Sequence, residues 1–96
     1  MRLHRAEVDI IKSTLQESIE DAKIFLFGSR TDDTKKGGDI DLFVQTKKNI
    51  TLKEELKILS RLELRGIERK VDLIIQTPVT LHQKFFDTIA KEGILL

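Results

Sequence analysis

The sequence predicts a small α/β (α+β) domain in which a short mixed sheet of three strands is flanked by helices. Two observations predict this class. Short apolar runs bounded by turn residues alternate with longer stretches of helical periodicity, and a helix separates the second and third strands, as in a parallel crossover. The predicted order is helix, strand, turn, strand, helix, strand, helix. The 96 residues correspond to one domain that spans 1–96.

The composition limits the classes of function. Apolar residues make up 40% and charged residues 34% of the chain, which fits one modest core and a solvated helix surface. The net charge of +1 argues against direct nucleic-acid binding driven by bulk charge. The absence of cysteine excludes disulfides and thiolate metal sites. No signal core or membrane-spanning run is present, so we expect a soluble, cytoplasmic protein without membrane contact.

The first helix is predicted over residues 3–21. Its apolar residues recur at steps of three and four and form one stripe: Val8, Ile11, Leu15, Ile19 and Ala22. The first strand follows at residues 23–27, a short apolar run with two phenylalanines that ends at Gly28. Ser29 can cap a helical turn at residues 30–33, and a polar return loop is predicted at 34–38.

The second strand is predicted over residues 39–46, where the side chains alternate strictly between two faces. One face carries Asp39, Asp41, Phe43 and Gln45, and the other carries Ile40, Leu42, Val44 and Thr46. Both aspartates therefore project from the same face, at backbone positions about 7 Å apart.

The second helix is predicted from residue 52 to about residue 65. Thr51 and Glu54 match a capping box at its start, and Gly66 is placed to end it. Its predicted apolar stripe consists of Leu52, Leu56, Leu59 and Leu62.

The third strand is predicted over residues 70–76 and the last helix from a capping pattern at 80–83 to about residue 92. The strand should place Val71, Leu73 and Ile75 on one face and Asp72, Ile74 and Gln76 on the other. The helix should bury Leu81, Phe85 and Ile89, with Phe86 a further candidate. The apolar tail at 94–96 is expected to pack against the domain.

Two carboxylates on one face of an apolar strand require a positive partner, because burying unpaired anions is costly. Arg30 or a lysine is one candidate, and a hard divalent cation with oxygen ligands is better suited. Two carboxylates at this spacing can hold two Mg²⁺ ions about 4 Å apart, the arrangement used for in-line phosphoryl and nucleotidyl transfer. Asp72 would complete the cluster if the second and third strands are neighbours.

A phosphate site is predicted just before this pair. Gly28 and Ser29, at the start of a helical turn, offer backbone N–H groups and a hydroxyl to a phosphate. Each part alone has a structural explanation: a D-x-D can end a solvated strand, Gly-Ser can be a turn, Asp72 can pair with a nearby cation, and Arg30 can pair with a neighbouring aspartate. The ordered combination of these parts favours the functional interpretation.

Together these residues resemble the minimal nucleotidyltransferases of the DNA polymerase beta superfamily. The resemblance rests on Phe-Gly-Ser-Arg at 27–30, Gly-Asp-Ile-Asp-Leu-Phe-Val at 38–44 and Val-Asp-Leu-Ile at 71–74. The loop lacks the common Arg-Ala-Arg-Gly run, and its nine residues between Ser29 and Asp39 are one fewer than is common in the family. These departures concern the triphosphate contacts and not the three aspartates.

The resemblance implies a small nucleotidyltransferase fold and an enzyme that transfers a nucleoside monophosphate, with AMP from ATP favoured, to a hydroxyl group. The implied catalytic and metal-binding residues are Asp39, Asp41 and Asp72. The implied phosphate-binding residues are Gly28, Ser29 and Arg30. Two Mg²⁺ ions are the implied cofactor, and Asp72 would also help to deprotonate the acceptor.

Small members of this family are often paired with a helical HEPN-type protein as toxin and antitoxin. The chain has little length for an acceptor-binding domain, so the resemblance implies a HEPN-type partner that carries the acceptor hydroxyl. One alternative is a non-catalytic antitoxin subunit that acts by complex formation, and another is a glycosyltransferase that binds a nucleotide sugar through D-x-D. A homodimer is also compatible, because Phe86 and the tail at 94–96 would need cover.

Overall fold

The computed structural model describes residues 4–27, 39–79 and 84–96. Helices and strands alternate along the chain in the order α1 Arg5–Ser18, β1 Lys23–Phe27, β2 Ile40–Gln45, α2 Leu52–Leu64, β3 Val71–Gln76, α3 Lys84–Glu92 and β4 Ile94–Leu95. The predicted α/β class is confirmed. The turn predicted at 30–33, the loop at 34–38 and the capping pattern at 80–83 lie outside the described residues. Among the described helices, none is long and apolar enough to cross a membrane.

The sheet has four strands in the order β3-β2-β1-β4. β1 runs antiparallel to β2 and β4, and β2 runs parallel to β3, so the sheet is mixed as predicted. The predicted number of three strands was wrong by one, because Ile94 and Leu95 pair with Leu26 and Phe25. A two-residue strand is too short for sequence periodicity to detect.

One face of the sheet, the helix-covered face, packs against α1 and α2 through an aliphatic core. Its buried members are Ile11, Leu15, Ile19, Ile24, Leu26, Ile40, Leu42, Val44, Ile58, Leu62 and Ile67. β2 supplies every second residue, as the alternation predicted. α1 is shorter than predicted, yet Ile19, just beyond its last residue, is fully buried.

Polar contacts join α1 to the end of α2 at the border of this core. Arg65 Nη1 donates to the Oγ1 of the fully buried Thr14 at 2.9 Å and to Glu17 Oε2 at 2.7 Å. The buried hydroxyl is therefore satisfied, and the two helices are connected at one end.

α2 begins at the predicted capping box. Glu54 N donates to Thr51 Oγ1 at 3.2 Å, and Thr51 N donates to Glu54 Oε1 at 3.4 Å. The helix ends at Leu64, and Gly66 then adopts a φ of 114°, a region that favours glycine.

The buried side of α2 differs from the prediction. Ile58 and Leu62 are buried and Leu59 is partly buried, whereas Leu52 and Leu56 are exposed. Leucine and isoleucine occupy more than one side of this helix, so its periodicity allows two apolar stripes. Packing against the sheet selects the stripe that contains Ile58.

The opposite face of the sheet, the α3 face, has an aromatic centre. Phe25, Phe43, Phe86 and Ile89 form a second buried cluster. The ring centroids of Phe43 and Phe86 lie 5.1 Å apart, and those of Phe25 and Phe43 lie 6.0 Å apart. Phe86 is thus buried within its own chain, which corrects the expectation that it would need cover.

The C-terminal tail packs, as predicted. Leu96 N donates to Ile24 O at 2.9 Å, and the Leu96 side chain packs against the aliphatic core. Ile94 and Leu95 stay exposed although they pair with β1. The tail is therefore an edge strand of the sheet.

Candidate active site

The three predicted carboxylates lie where β2 and β3 begin. Asp39 directly precedes β2, Asp41 is its second residue, and Asp72 is the second residue of β3. The parallel pairing aligns Asp41 with Asp72. Because register partners project from the same side of a sheet, both carboxylates lie on the α3 face.

The α3 face is organised in three rows across β1, β2 and β3. The carboxylate row is Phe27, Asp41 and Asp72; the aromatic row is Phe25, Phe43 and Ile74; the amide row is Lys23, Gln45 and Gln76. α3 packs on the aromatic row through Phe86 and Ile89. The aromatic row therefore separates the carboxylate row from the amide row.

The amide row is closed by a hydrogen bond from Gln45 Nε2 to Gln76 Oε1 at 3.1 Å. The sequence interpretation placed both glutamines on the correct faces but did not predict their contact. A signal was present, because Gln45 and Gln76 each follow an aspartate of the carboxylate row by four residues. Equal spacing on two strands predicts a second contact once the first pair is aligned.

The carboxyl of Asp41 is influenced by both of the other aspartates. Burial raises the pKa of Asp41 above its ordinary value, and the charge of Asp72, a hydrogen bond with Asp72 and the charge of Asp39 raise it further. The pKa rises because ionisation of Asp41 places a partly buried charge beside two other carboxyl groups. A cation at this position would have the opposite effect on the pKa of Asp41.

Asp72 is the more open member of the aligned pair, with half of its side chain exposed. The Nζ of Lys70 lies 4.0 Å from Asp72 Oδ1, but the lysine side chain is 74% exposed. An ion pair so open to solvent contributes little stability. Asp72 does have a nearby cation in Lys70, as the structural explanation requires. Because this ion pair is weak, it does not prevent Asp72 from having a functional role.

The donor set fits a hard divalent cation, because carboxylate oxygens are preferred ligands of Mg²⁺. Within residues 4–27, 39–79 and 84–96, however, no three acidic or histidine side chains converge closely enough to hold a metal ion. The fold brings Asp41 and Asp72 together. The three-carboxylate metal site with Asp39 stays a prediction.

The predicted phosphate-binding residues, Gly28, Ser29 and Arg30, lie outside the described residues. β1 ends at Phe27, which pairs with Asp41. The strand that precedes these three residues therefore ends at the carboxylate row, and their role stays a prediction.

Comparison with known proteins supports the interpretation of the fold. Residues 9–96 match the model of the family described as "Polymerase beta, Nucleotidyltransferase". No curated protein gives a significant match. Five chains of solved structures do match.

Two of these structures are toxin–antitoxin complexes. One is tri-AMPylated Shewanella oneidensis HEPN toxin in complex with MNT antitoxin, with 22% identity, a TM-score of 0.65, and coverage of 94% of this chain and 67% of the other. The other is a mutant of the toxin–antitoxin MntA-HpeT with two Asp-to-Glu substitutions, with 20% identity, a TM-score of 0.67, and coverage of 93% and 70%. At these identities the likeness shows a shared fold.

The family match includes every strand of the sheet and all three aspartates at the beginnings of β2 and β3. The mixed sheet, its parallel β2–β3 pair and the aligned aspartates thus all fall within the matched region. On these grounds the chain belongs to the polymerase beta nucleotidyltransferase family.

Proposed function

We propose that this protein is a Mg²⁺-dependent nucleotidyltransferase that transfers a nucleoside monophosphate, with AMP from ATP favoured, to a hydroxyl group of a partner protein. The observation that carries the proposal is the alignment of Asp41 with Asp72 across two parallel strands. Family membership supports the reaction class. The likeness to a complex of a tri-AMPylated HEPN toxin with an MNT antitoxin supports AMP as the transferred group and a HEPN-type partner.

In this proposal Asp39, Asp41 and Asp72 hold the divalent cations. The bound cations supply positive charge that offsets the charge of the triphosphate. The raised pKa of Asp41 supports this assignment, because a carboxyl crowded by two others is a place where a cation binds favourably. Gly28, Ser29 and Arg30 bind the β- and γ-phosphates of the nucleotide.

The acceptor hydroxyl oxygen attacks the α-phosphorus and forms one new P–O bond. The bond from the α-phosphorus to the oxygen that bridges the β-phosphorus breaks, and pyrophosphate leaves with that electron pair. Asp72 accepts the hydroxyl proton, and its half-exposed side chain leaves an oxygen accessible to the acceptor. The contribution of the chain is positioning and charge compensation, which are the main requirements of this chemistry.

A non-catalytic antitoxin subunit that acts by binding its partner is the second candidate. It is favoured by the absence, among the described residues, of three acidic side chains gathered closely enough for a metal ion. In that case the partner would lose its activity without any covalent change.

Mass spectrometry distinguishes the two candidates. The protein is mixed with a HEPN-type partner, Mg²⁺ and each nucleoside triphosphate in turn, and both proteins are weighed intact. We expect the partner to gain one or more nucleotidyl groups, and Asp41→Asn to abolish this gain. Asp9→Asn, which changes an exposed aspartate of α1, is the matched control and should retain it.

If the partner is inhibited but unmodified, the transfer reaction is refuted and the protein acts as a non-catalytic binding subunit.

A second measurement needs no partner. Calorimetry with a non-hydrolysable ATP analogue should show binding that depends on Mg²⁺ in the unaltered protein and in Asp9→Asn, and that is lost in Asp41→Asn. Binding that is unchanged in Asp41→Asn would contradict the assignment of the carboxylate row.

A further inference from the structure

Strand β3 forms one edge of the sheet. In the order β3-β2-β1-β4 it pairs with β2 alone, and no other strand within the described residues borders it. Its six residues, Val71–Gln76, include no proline and no lysine. Edge strands are commonly protected by such residues or by being very short, as β4 is with two residues. The edge of β3 lacks these protections against pairing with another strand.

The hydrogen bonds from β3 to β2 use every second residue of β3. Ile40 N donates to Lys70 O at 2.9 Å, and Thr46 N donates to Gln76 O at 3.1 Å. By the regular alternation of a parallel pair, the even-numbered residues of β3 bond to β2. The N–H and C=O groups of the odd-numbered residues therefore point to the open edge. These residues are Val71, Leu73 and Ile75.

Asp72 lies on this edge strand, at the end of the carboxylate row. The row runs across the sheet from Phe27 through Asp41 to Asp72. The proposed phosphate site begins directly after Phe27, at Gly28. In-line transfer requires the attacking oxygen and the leaving pyrophosphate to lie on opposite sides of the α-phosphorus. With the phosphates at the β1 end of the row, the acceptor oxygen has to approach from the β3 end.

We infer that the acceptor hydroxyl is presented by an extended segment of the partner protein, which pairs antiparallel with the open edge of β3. This inference rests on the proposed transfer reaction and adds how its acceptor is recognised. The residue with the hydroxyl lies opposite Asp72, as a fourth member of the carboxylate row. Because Asp72 bonds to β2, the two residues form a non-hydrogen-bonded pair, with Cα atoms about 4.5 Å apart and side chains at their closest.

A cavity beside the start of β3 can accept the next side chain of the segment. It has a volume of about 560 Å³, lies between the end of α2 and the start of β3, and has an apolar lining of Leu59, Ile67 and Val71. Two acidic and two basic residues complete the lining, so charge selects little. Val71 packs on the helix-covered face, and the segment residue opposite it projects to that face too. We therefore expect an apolar residue directly after the residue with the hydroxyl.

A second copy of the chain fits this edge less well. β3 contains no serine, threonine or tyrosine, so pairing of β3 with β3 would place no hydroxyl beside Asp72 and would close the acceptor side of the site. A helical acceptor cannot pair with the edge either, because its backbone N–H and C=O groups are bonded within the helix. The edge therefore favours an extended segment of another protein, whose main chain supplies affinity and whose alternate side chains supply specificity.

The test uses short extended peptides in place of the partner. The reference peptide has one threonine between two valines. A first variant is N-methylated at the residues next to threonine, where the N–H groups would face β3. The matched control is N-methylated two residues before and after threonine, where they would face solvent. The first variant should lose about 10-fold in binding and in nucleotidyl transfer, the scale of one or two backbone hydrogen bonds, and the control should lose neither.

Amide hydrogen exchange without nucleotide tests the pairing directly. In the free chain the outward amides of Val71, Leu73 and Ile75 should exchange faster than those of Asp72 and Ile74, which bond to β2. A saturating amount of the reference peptide should slow the outward amides and leave the other two unchanged. This measurement needs neither ATP nor Mg²⁺, so it does not depend on the transfer reaction.

Two proline variants locate the contact. Ile75→Pro removes an outward N–H and keeps the hydrogen bonds to β2, so binding of the reference peptide and transfer to it should fall about 10-fold. The matched control is Leu95→Pro on the opposite edge. Leu96 N donates to Ile24 O, so the N–H of Leu95 points away from β1, and this change should alter neither quantity. Thermal unfolding and Mg²⁺-dependent binding of the ATP analogue verify that each variant is folded.

Several results would overturn the inference. They are equal binding of the two N-methylated peptides, outward amides that the peptide does not protect, transfer that Ile75→Pro does not alter, and equally fast transfer to a helical peptide with one threonine. A dimer of the free chain that Ile75→Pro dissociates would assign the edge to a second copy.

Failure of this inference can be distinguished from failure of the proposed function. If a HEPN-type partner gains nucleotidyl groups while the outward amides of β3 stay unprotected, the transfer reaction stands and the edge pairing is refuted. If the peptide protects these amides but no acceptor is modified, the transfer reaction is refuted, and the edge is a binding site without a role in chemistry.

Discussion

The two faces of the sheet are constructed differently, although β2 contributes to both. On the helix-covered face β2 presents only aliphatic side chains, and Leu42 is fully buried among them. On the α3 face it presents Asp41, Phe43 and Gln45, so apolar packing is concentrated in the aromatic row. The comparison indicates a division of roles. The helix-covered face stabilises the fold, and the aromatic row positions the carboxylates beside it.

The largest expected effect comes from truncating two adjacent residues of β2. Leu42→Ala should lower the free energy of unfolding by about 2–5 kcal/mol, and Phe43→Ala should lower it by about 3–5 kcal/mol, because each leaves a cavity in a buried cluster. Urea unfolding measures both values. Only Phe43→Ala should also weaken Mg²⁺-dependent binding of an ATP analogue to the folded fraction. Equal loss of binding in the two variants would show that the site depends on overall stability and not on the aromatic row.

A smaller effect is expected where α3 joins β4. A Cβ added at Gly93 would lie 2.5 Å from the backbone oxygen of Ile89, so Gly93→Ala requires the end of α3 to move. We expect it to lower the free energy of unfolding by about 1–3 kcal/mol. Lys91→Ala, which truncates an exposed side chain of α3, should change it little. A Gly93→Ala protein as stable as the original would mean that α3 covers the aromatic row only loosely.

The N-terminus of α2 provides a change confined to the helix-covered side. Thr51→Ala removes the hydroxyl that accepts from Glu54 N and should lower the free energy of unfolding by about 0.5–2 kcal/mol. Thr51→Ser keeps the hydroxyl and should recover most of this loss. Binding of the ATP analogue should be the same in both variants, since Asp41 and Asp72 lie on the other face. A loss of binding in Thr51→Ala alone would show that the two faces are coupled.

The smallest expected effect concerns the pH dependence of the metal-free protein. Because the pKa of Asp41 is raised in the folded state, its contribution to stability is fully present below its unfolded pKa and is lost as pH rises through the folded pKa. At neutral pH, Asp41→Asn should therefore stabilise the metal-free protein by about 0.2–1 kcal/mol, the scale of relieving one pair of like charges across strands. Urea unfolding in EDTA over a pH series measures this difference.

The comparison of the protein with Asp41→Asn is essential in that experiment. Glu17 and Asp21 have lowered pKa values, because Glu17 accepts hydrogen bonds from Arg65, and Asp21 accepts them from Thr46 and Lys47. Their contributions are present above their unfolded pKa values and are lost as pH falls, opposite in direction to that of Asp41. If Asp41→Asn destabilised the metal-free protein at neutral pH, the carboxylate row would have to contain a compensating cation of the chain itself.

The composition of the two faces could be predicted from the sequence, whereas the register between the strands could not. Alternation along β2 and β3 predicted both faces, because a period of two leaves no choice once one face is buried. It also predicted that Asp39 and Asp41 share a face. The alignment of Asp41 with Asp72 could not be predicted in the same way, because register depends on pairing between distant segments.

Helix α2 shows the limit of periodicity most clearly. Its predicted stripe was Leu52, Leu56, Leu59 and Leu62. The structure buries Leu62 and part of Leu59 as predicted, but it exposes Leu52 and Leu56 and buries Ile58, which the prediction left out. Both stripes have helical spacing, so only the packing of α2 on the sheet and α1 decides between them. The prediction was therefore correct for the C-terminal half of the helix and wrong for Leu52 and Leu56.

The parallel register of β2 and β3 has a consequence for folding. A slip of one residue in this pairing would turn Asp72 toward the aliphatic core of the helix-covered face and expose Leu73 in its place. A carboxylate buried there without a partner would be strongly unfavourable. Asp72 therefore acts against misregistered chains during folding, and molecules that reach the stable register have Asp41 and Asp72 side by side. Asp72, to which we assign a role in the reaction, thus also favours the observed register of β2 and β3.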